Sequence, residues 1–178
     1  MTTLRTERLT LRLPTPGDTE LAGRLVSDER VMRFLGGGTV PEEHWGAVVA
    51  SWIERWERNG MGPFILERRD DGAFVGRTGI IVWDTRGWAP SSFAEAGEHA
   101  QPELGWALAS DQWGNGFATE AARAVRDWVR AERGVTSLVS VIAPENVGSA
   151  GVAKRLGATP GETVRLLDTG DAVVWTHP

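Results

Sequence analysis

Alternating hydrophobic and polar side chains near the start of the chain predict a half-buried strand. Leucine occupies every second position from Leu9 to Leu13 in ERLTLRL, with threonine and arginine between. This period of two is typical of a strand with one buried face. Pro14 ends the strand because proline lacks the amide donor that a sheet needs. The TPGD segment at residues 15–18 directly follows Pro14. It predicts a helix start, since its own proline, Pro16, suits the first helical position.

Helical spacing replaces the alternation from residue 45 onward. Apolar side chains recur there on one helical face, at Trp45, Val48, Val49, Trp52, Ile53 and Trp56. Thr39 and Glu42 match a capping box, in which two side chains satisfy free amides at a helix start. We therefore expect a helix that begins at this box and ends near Gly60, since glycine is favoured just beyond the last turn.

Turn-forming residues predict two hairpins and one long loop. Hydrophobic runs flank DDG at residues 70–72, and similar runs flank TGD at residues 169–171. A short turn with glycine between two such runs is typical of a β-hairpin. Residues 85–100 are rich in glycine, proline, serine and alanine, which predicts a loop.

The second half of the chain follows the order strand, turn, helix, strand, helix. ELGWALA at residues 103–109 predicts a strand, and VTSLVSVI at residues 135–142 predicts a strand covered on both faces. The amphipathic helix between them ends at Gly134, and Asn146 caps the helix that follows the second strand. Together with the hairpins, these elements predict a mixed α/β sheet in one domain that spans residues 1–178.

Composition excludes several classes of protein. The 178 residues are 41% hydrophobic and 24% charged, as expected of a globular chain rather than a disordered one. The net charge of −5 does not favour broad binding to nucleic acid or to anionic membranes. There is no cysteine, which excludes disulfides, thiolate metal ligands and a cysteine nucleophile, and no other cluster has metal-ligand spacing. Without a signal-peptide pattern or a membrane-spanning run, a cytoplasmic protein is expected.

The most informative segment is WGNGF at residues 113–117, where two glycines stand between a predicted strand and a predicted helix. Glycine lets backbone N–H groups converge without interference from Cβ, and the helix N-terminus adds about half a positive charge. Such a turn suits a phosphate or pyrophosphate, although a plain strand-to-helix connection uses the same residues. No lysine follows Gly116, as a P-loop requires, and Thr119 stands where a Rossmann fingerprint needs glycine.

The motifs of the chain also occur in an order that a known family shows. TERLTLR, ELGWAL, WGNGFATEA, the pair Asn146 and Ser149, and KRLGA follow one another over nearly the whole chain. In this order they resemble the GNAT superfamily of N-acetyltransferases, and more narrowly the RimJ/RimL-type enzymes that acetylate the N-termini of ribosomal proteins. The resemblance implies a central, mostly antiparallel sheet with flanking helices and two parallel central strands that splay apart. It also implies acetyl-coenzyme A as co-substrate, bound between those two strands.

The resemblance implies roles for individual residues of the cofactor site. Backbone groups of residues 106–108 are expected to hold the pantetheine arm, and N–H groups of the glycine turn to hold the pyrophosphate. Asn146 is expected at the pantetheine arm, Ser149 near the sulfur and Lys154 near the adenosine end. The expected cofactor-binding residues are Trp106, Ala107, Leu108, Trp113, Gly114, Asn115, Gly116, Phe117, Ala118, Thr119, Asn146, Ser149 and Lys154.

Acetylation of an amine requires a base for the ammonium proton, and the resemblance places Glu103 at the acceptor channel as the candidate. A solvated carboxylate or a salt bridge is the alternative role for this residue. Many relatives use a tyrosine as the acid at the leaving thiolate, yet this chain has no tyrosine. Ser149 is the candidate by position, either as a catalytic proton donor or only as a hydrogen-bond partner of the sulfur. The absence of cysteine favours direct transfer in a ternary complex.

One of the histidines and several tryptophans are further candidates for the acceptor site, and the tryptophans also have a plain structural alternative. His44 and His177 are expected to be solvated, whereas His99, in the predicted loop beside Glu98, is a further candidate at the acceptor site. Core packing and an acceptor pocket are the two roles considered for Trp83, Trp88 and Trp106.

Three classes of function follow from these observations. The first is an N-acetyltransferase whose acceptor is a primary amine, either a protein N-terminus or a small molecule. The second is a sensor that binds acyl-coenzyme A without turnover and would release no thiol with any amine. The third is an interaction domain without a cofactor. The final hairpin could pair across two copies of the chain, which leaves a homodimer open.

Overall fold

A computed structural model describes residues 2–36, 38–166 and 170–178. The elements of the first half are β1 (Leu4–Arg5), β2 (Leu9–Arg12), α1 (Thr19–Val26), α2 (Glu29–Met32), α3 (Trp45–Asn59), β3 (Pro63–Arg68) and β4 (Phe74–Asp84). Those of the second half are β5 (Ala89–Ser91), α4 (Phe93–Ala96), β6 (Ala100–Leu108), α5 (Phe117–Arg133), β7 (Val139–Ile142), α6 (Val147–Arg155), β8 (Thr159–Leu166) and β9 (Gly170–Thr176). Short 3-10 turns lie at Pro16–Asp18, Glu42–His44, Gly97–His99 and Ser110–Gln112.

Across the described ranges, nine strands form one sheet in the order β1-β2-β3-β4-β6-β7-β9-β8, with β5 paired to β4. Neighbouring strands there run antiparallel, apart from β6 and β7, which are parallel. A parallel pair needs a long crossover connection, and α5 supplies it. The prediction of a mixed, mostly antiparallel sheet with a parallel central pair and flanking helices is confirmed.

Helices cover the sheet on both faces. The core on one face joins strands to α5 and α6 through Leu9, Leu11, Leu66, Leu104, Phe117, Ala121, Val125 and Leu156. The core on the other face joins α1, α2 and α3 to the sheet through Ala22, Leu25, Val31, Val49, Trp52, Ile65 and Ala107. Because successive side chains of a strand point to opposite faces, Leu104 of β6 faces α5 whereas Ala107 faces α3.

Most of the predicted elements are present with somewhat different bounds. The alternating leucines form β2, and the turn at residues 70–72 joins β3 to β4. Gly134 ends α5 with a left-handed φ of 65°. Asn146 caps α6, since its side chain accepts a hydrogen bond from the Ser149 N–H. These features depend on neighbouring residues, which is why the local pattern identifies them.

Two local predictions are wrong. Residues 85–100 are not a plain loop, because β5 pairs with β4, with Pro90 opposite Trp83, and α4 follows. The regular structure of these residues comes from pairing with another strand, and composition does not reveal such a contact. The capping box at Thr39 does not form, and α3 follows a 3-10 turn without a side-chain cap. Pro41 disfavours a helical conformation at the residue before it, so a helix cannot start at the box. In the final hairpin, residues 167–169 lie outside the described residues.

Gly134 offers a test of the helix end. A Cβ built there would meet no atom within 4 Å, so Gly134→Ala adds only the strain of the left-handed backbone. We expect the free energy of unfolding to fall by roughly 1–2 kcal/mol. Gly46 in α3 has equally open space and no such strain, so Gly46→Ala should raise it by roughly 0.5–1 kcal/mol. Urea unfolding measures both changes, and the same sign for the two would contradict this assignment.

Candidate active site

Within the described residues, the two parallel strands separate after a single residue pair, Glu103 of β6 opposite Val139 of β7. Beyond this pair, side chains satisfy the backbone groups that face the partner strand. The Val141 N–H donates to Glu103 Oε1 at 3.2 Å, and Ser140 Oγ donates to the Leu104 carbonyl at 2.6 Å. The strands therefore diverge without leaving these buried polar groups unpaired, which would be costly.

The divergence opens a cleft of about 750 Å³. Its walls are the end of β6, the glycine turn with the first turn of α5, the start of α6, and α2 with the residues after it. The predicted cofactor-binding residues that line it are Trp106, Ala107, Leu108, Trp113, Gly114, Gly116, Phe117, Ala118, Thr119, Asn146 and Ser149. The fold thus brings together residues that were assigned from separate motifs.

The glycine turn has an unusual backbone conformation. Gly114 and Gly116 both have a φ of 78°, in the left-handed region that residues with a side chain rarely adopt. In the described ranges, the N–H groups of residues 114–119 donate no hydrogen bond to a protein acceptor. A helix leaves its first amides free and concentrates partial positive charge at that end. The start of α5 therefore presents a row of free donors at the cleft.

Arg8 holds the glycine turn in place from the opposite side. Its Nη1 donates to the Asn115 carbonyl at 2.9 Å, a contact between residues 107 positions apart. Its Nε donates to Glu120 Oε2 at 2.7 Å, and its guanidinium lies 4.7 Å from the centroid of the Phe117 ring. Asn115 is therefore engaged by Arg8 and does not line the cleft. Sequence reasoning missed Arg8 because only the tertiary structure brings β2 to the start of α5.

Asn146 and Ser149 lie together at the start of α6. Asn146 Oδ1 accepts from the Ser149 N–H at 3.0 Å, and Ser149 Oγ accepts from Trp106 Nε1 at 3.2 Å. Since an indole nitrogen is a donor only, the serine keeps its own hydroxyl proton for another acceptor. Ser149 therefore offers the cleft a hydrogen-bond donor.

The structure does not bring Lys154 to the cleft. Its ammonium lies 5.9 Å from the centroid of the Trp175 ring. The neighbouring Arg155 lines the cleft and donates from Nε to Thr119 Oγ1 at 3.1 Å. Residues three apart share a helical face, and Arg155 lies two such steps beyond Ser149. Those two steps leave Arg155 about 120° around the helix from Ser149, and Lys154 lies about 140° from it. Spacing alone therefore does not separate the two residues, and the packing of α6 decides which one reaches the cleft.

Glu103 is buried, with 7% of its surface exposed, at the point where the strands diverge. Its Oε2 accepts from Trp83 Nε1 at 2.5 Å, while Oε1 accepts from Val141. Burial raises the pKa of Glu103, and the two hydrogen bonds and the charges of Arg77 and Arg55 oppose that rise. The alternative of a solvated carboxylate is wrong, because the sheet encloses the side chain. A raised pKa makes the carboxylate a stronger base than an ordinary glutamate.

His177 is buried, with 4% of its surface exposed, although it was expected to be solvated. The cause is β9, which carries the chain into the sheet so that the His177 N–H donates to the Leu138 carbonyl at 2.9 Å. Ser140 Oγ uses its proton elsewhere, so His177 Nε2 donates to Ser140 Oγ at 2.9 Å. Burial, followed by the charges of Arg126 and Arg130, lowers the pKa of His177 to about 4. The ring is therefore neutral at pH 7.

The other histidines and two tryptophans lie outside the cleft lining. His44 is exposed, as predicted, and His99 lies 3.7 Å from the Glu98 carboxylate on a 3-10 turn. The Trp83 and Trp88 ring centroids are 6.4 Å apart, and Trp88 has a φ of 49°, which is strained for a bulky residue. The two indoles thus form an aromatic pair next to Glu103, through the Trp83 hydrogen bond.

Clusters of metal ligands and membrane-spanning helices are both absent from the described ranges. No group of three or more acidic or histidine side chains is placed there to hold a metal ion. No helix in the same ranges has the length and apolar character needed to cross a membrane. The groups that the cleft offers to a ligand are backbone donors, hydroxyls, indoles and arginines.

A family comparison accounts for this fold and cleft. Residues 8–159 match the acetyltransferase (GNAT) domain, so the chain belongs to the GNAT family of acetyltransferases. Membership confirms the family resemblance and the predicted class of enzyme, an N-acetyltransferase.

The chain is also similar to individual proteins. YkkB of Bacillus subtilis is 30% identical over 166 residues, which cover 92% of this chain and 89% of that protein. The crystal structure of an acetyltransferase from Agrobacterium tumefaciens has a TM-score of 0.80 at 30% identity and covers 100% of this chain and 95% of that one. RimL, a ribosomal-protein α-N-acetyltransferase solved with coenzyme A, has a TM-score of 0.77 at 14% identity, with 99% and 97% covered. At that identity, the likeness to RimL shows a shared fold.

The raised pKa of Glu103 predicts how stability changes with pH. Its protonated form is favoured in the folded chain, so its contribution to stability is full below the unfolded pKa and is lost as pH rises through the folded pKa. We expect the stability of the wild type relative to Glu103→Gln to fall as the pH rises above the ordinary glutamate pKa of about 4.3. Urea unfolding at each pH measures the difference, and a constant or rising difference would contradict the raised pKa.

Proposed function

We propose that the chain is an acetyl-coenzyme-A-dependent N-acetyltransferase that transfers the acetyl group directly to a primary amine while both substrates are bound. The observation that carries this proposal is the row of free backbone N–H groups at residues 114–119, which opens on the cleft between β6 and β7. Family membership supports acetyl transfer in general. The identities of the acetyl donor and of the acceptor go beyond what family membership shows.

The residues of the cleft fit coenzyme A. The free amides of the glycine turn would hold the pyrophosphate, as helix N-termini commonly do. Arg30, Arg33 and Arg155 line the same cleft and would add positive charge for the phosphates. Residues 106–108 and Asn146 would hold the pantetheine arm. RimL shares the fold and was solved with coenzyme A, which supports this assignment. When bound, acetyl-coenzyme A would supply the activated acetyl group.

The residues beside the cleft suit the required proton transfers. Glu103 would accept the proton of the acceptor ammonium, and its raised pKa suits this role. Both of its oxygens already accept a hydrogen bond, so we propose that the proton passes through a bridging water. Ser149 would donate its free hydroxyl proton in a hydrogen bond to the leaving sulfur. A thiolate is a fairly good leaving group, so a strong acid is not required.

The acceptor is proposed as a primary amine, on a protein N-terminus or on a small molecule. We also propose that residues 1–178 act as one domain. This proposal is supported by one hydrophobic core cluster that contains both Leu9, near the start of the chain, and Leu156, which follows α6. A homodimer through the last hairpin stays a prediction.

A sensor that binds acyl-coenzyme A without turnover is the second candidate. It is favoured by the lack of tyrosine in the chain and by the engagement of both Glu103 oxygens. A thiol-release screen with acetyl-coenzyme A and a mixed panel of peptide and small-molecule amines separates the two. Thiol release with any amine supports the enzyme, and saturable binding without release supports the sensor.

Gly116 tests the cofactor site. A valine there would place a branched side chain on the turn, so we expect Gly116→Val to raise the dissociation constant of acetyl-coenzyme A by about tenfold or more. Gly134→Val is the matched control, because it adds similar backbone strain at the other end of the same helix. Titration calorimetry measures the affinity of both variants. Equal affinity in the two would place the pyrophosphate elsewhere.

Glu103 tests the proton transfer. If it is the base, kcat/KM falls as it is protonated, so the wild-type pH–rate profile has an acidic limb at a pH above the ordinary glutamate pKa of about 4.3. We expect Glu103→Gln to reduce kcat by about 10²-fold to 10⁴-fold and to remove this limb. The pH dependence of thiol release is the measurement. A variant that keeps the wild-type profile would assign the base to another group, such as His99.

A further inference from the structure

Two arginines lie on the α3 face of the sheet beside Glu103. Arg77 of β4 stands opposite Ala107 of β6, so the two side chains share a face. The Arg77 guanidinium lies 5.6 Å from the centroid of the Trp52 ring in α3. Arg55 follows Trp52 by three positions and therefore lies on the same side of α3. The helix and the sheet thus bring the two cations to one place.

The sheet next to this pair carries little side-chain bulk. Glu103, Gly105 and Ala107 alternate onto the same face of β6. A Cβ built at Gly105 would meet only Glu103 Oε1, at 3.9 Å. Gly105 is half-buried and therefore leaves room for at least a methyl-sized group on this face, between the carboxylate and Arg77. Ala107 also lines the cofactor cleft, so this surface is continuous with it.

Neither arginine has an ionic partner in the described part of the chain. Both side chains are half-buried, and neither makes an ion pair or a hydrogen bond there. Burial lowers the pKa of Arg55, and burial together with the charge of Arg55 lowers the pKa of Arg77 to about 10. Arg12 shows the ordinary arrangement, since it bonds to Asp18 at 2.6 Å and to Glu67 at 2.8 Å.

The nearby acid does not balance this charge. Glu103 is the carboxylate whose charge acts on both arginines, but its two oxygens are engaged by Trp83 and Val141. Glu54 also acts on Arg55, but it lies at the exposed surface, where it pairs with Arg58 at 3.4 Å. Within the described residues, neither carboxylate contacts either guanidinium directly. Burial of part of an arginine side chain weakens the hydration of its charge, which an ionic partner would offset, and a carboxylate matches the paired donors of guanidinium.

We infer that Arg55 and Arg77 bind a carboxylate of the acceptor, so that the acceptor is a primary amine that also carries a carboxylate. This inference rests on the proposed function, because it assigns the acceptor side of the same site. The carboxylate has two sources, a free amino acid or an acidic side chain next to a peptide N-terminus. A polycationic acceptor is disfavoured, despite the acidic net charge of the chain, because like charges would meet at the arginines.

Matched acceptor pairs test the inference in the thiol-release assay. Alanine is compared with alaninamide, and alanyl-glutamate amide with alanyl-glutamine amide, so each pair differs by one carboxylate. We expect kcat/KM of the wild type to favour the carboxylate member of at least one pair by about tenfold or more. The first pair reports a free amino acid as the source, and the second reports an acidic peptide.

Variants locate the effect at the arginines. Arg55→Met and Arg77→Met keep much of the apolar stem and remove the charge. Loss of either charge also acts on Glu103, but that effect is common to both members of a pair. Each variant should therefore raise KM for the carboxylate acceptor by a larger factor than for the amide acceptor and so reduce the preference. Arg5→Met, an exposed arginine of β1, is the matched control and should keep the wild-type preference. Amine basicity differs within a pair but is the same for every enzyme, so the change between enzymes isolates the subsite.

The outcomes separate this inference from the proposed function. Thiol release without a preference for either carboxylate acceptor overturns the inference and leaves the proposed function standing. If none of the amines gives thiol release, the proposed function is overturned. Calorimetry with N-acetylalanine and N-acetylalaninamide then decides whether the arginines bind a carboxylate. Tighter binding of the carboxylate by about tenfold supports the inference, and equal binding overturns it. Both comparisons use the wild-type chain, so they hold even where a variant fails to fold.

Discussion

The structure depends on the way two parallel strands part without leaving buried backbone groups unpaired. At the divergence, Glu103 accepts the Val141 N–H, and Ser140 donates to the Leu104 carbonyl. Side chains therefore replace the ladder bonds that would otherwise hold β6 and β7 together. An unpaired buried amide or carbonyl would cost roughly as much as a lost hydrogen bond, so the cleft is stable only with these polar residues. The neutral His177 behind Ser140 completes this arrangement.

The divergence separates two electrostatic environments. On one side, the glycine turn and the start of α5 offer free amides that Arg8 holds in position. On the other side, Arg55 and Arg77 face the sheet without an ionic partner in the described ranges. Glu103 stands at the junction of the two. A chain with a net charge of −5 thus concentrates positive potential where the proposed donor and acceptor meet, which net charge alone does not reveal.

Sequence patterns identified what depends on neighbours along the chain. The glycine turn and the Asn146 cap were anticipated, because they arise from local backbone requirements. The family resemblance indicated that these separate motifs belong to one site. The pattern failed where distant segments meet: residues 85–100 gain order from pairing with β4, and His177 is buried by β9. Lys154 was assigned from the family resemblance alone, and the structure places Arg155 at the cleft instead.

The sequence by itself determined the mixed α/β class, the family and the turn that presents free amides, since each follows from short-range spacing and from the conformations glycine permits. Only the tertiary structure decided that Glu103 is buried and accepts two hydrogen bonds. It also decided that Arg55 and Arg77 lie beside Glu103 with no ionic partner among the residues that the structure describes. The physical reason is that burial and charge pairing depend on which distant strand or helix packs against a residue. Local periodicity indicates the face that a side chain occupies, and packing determines what that face meets.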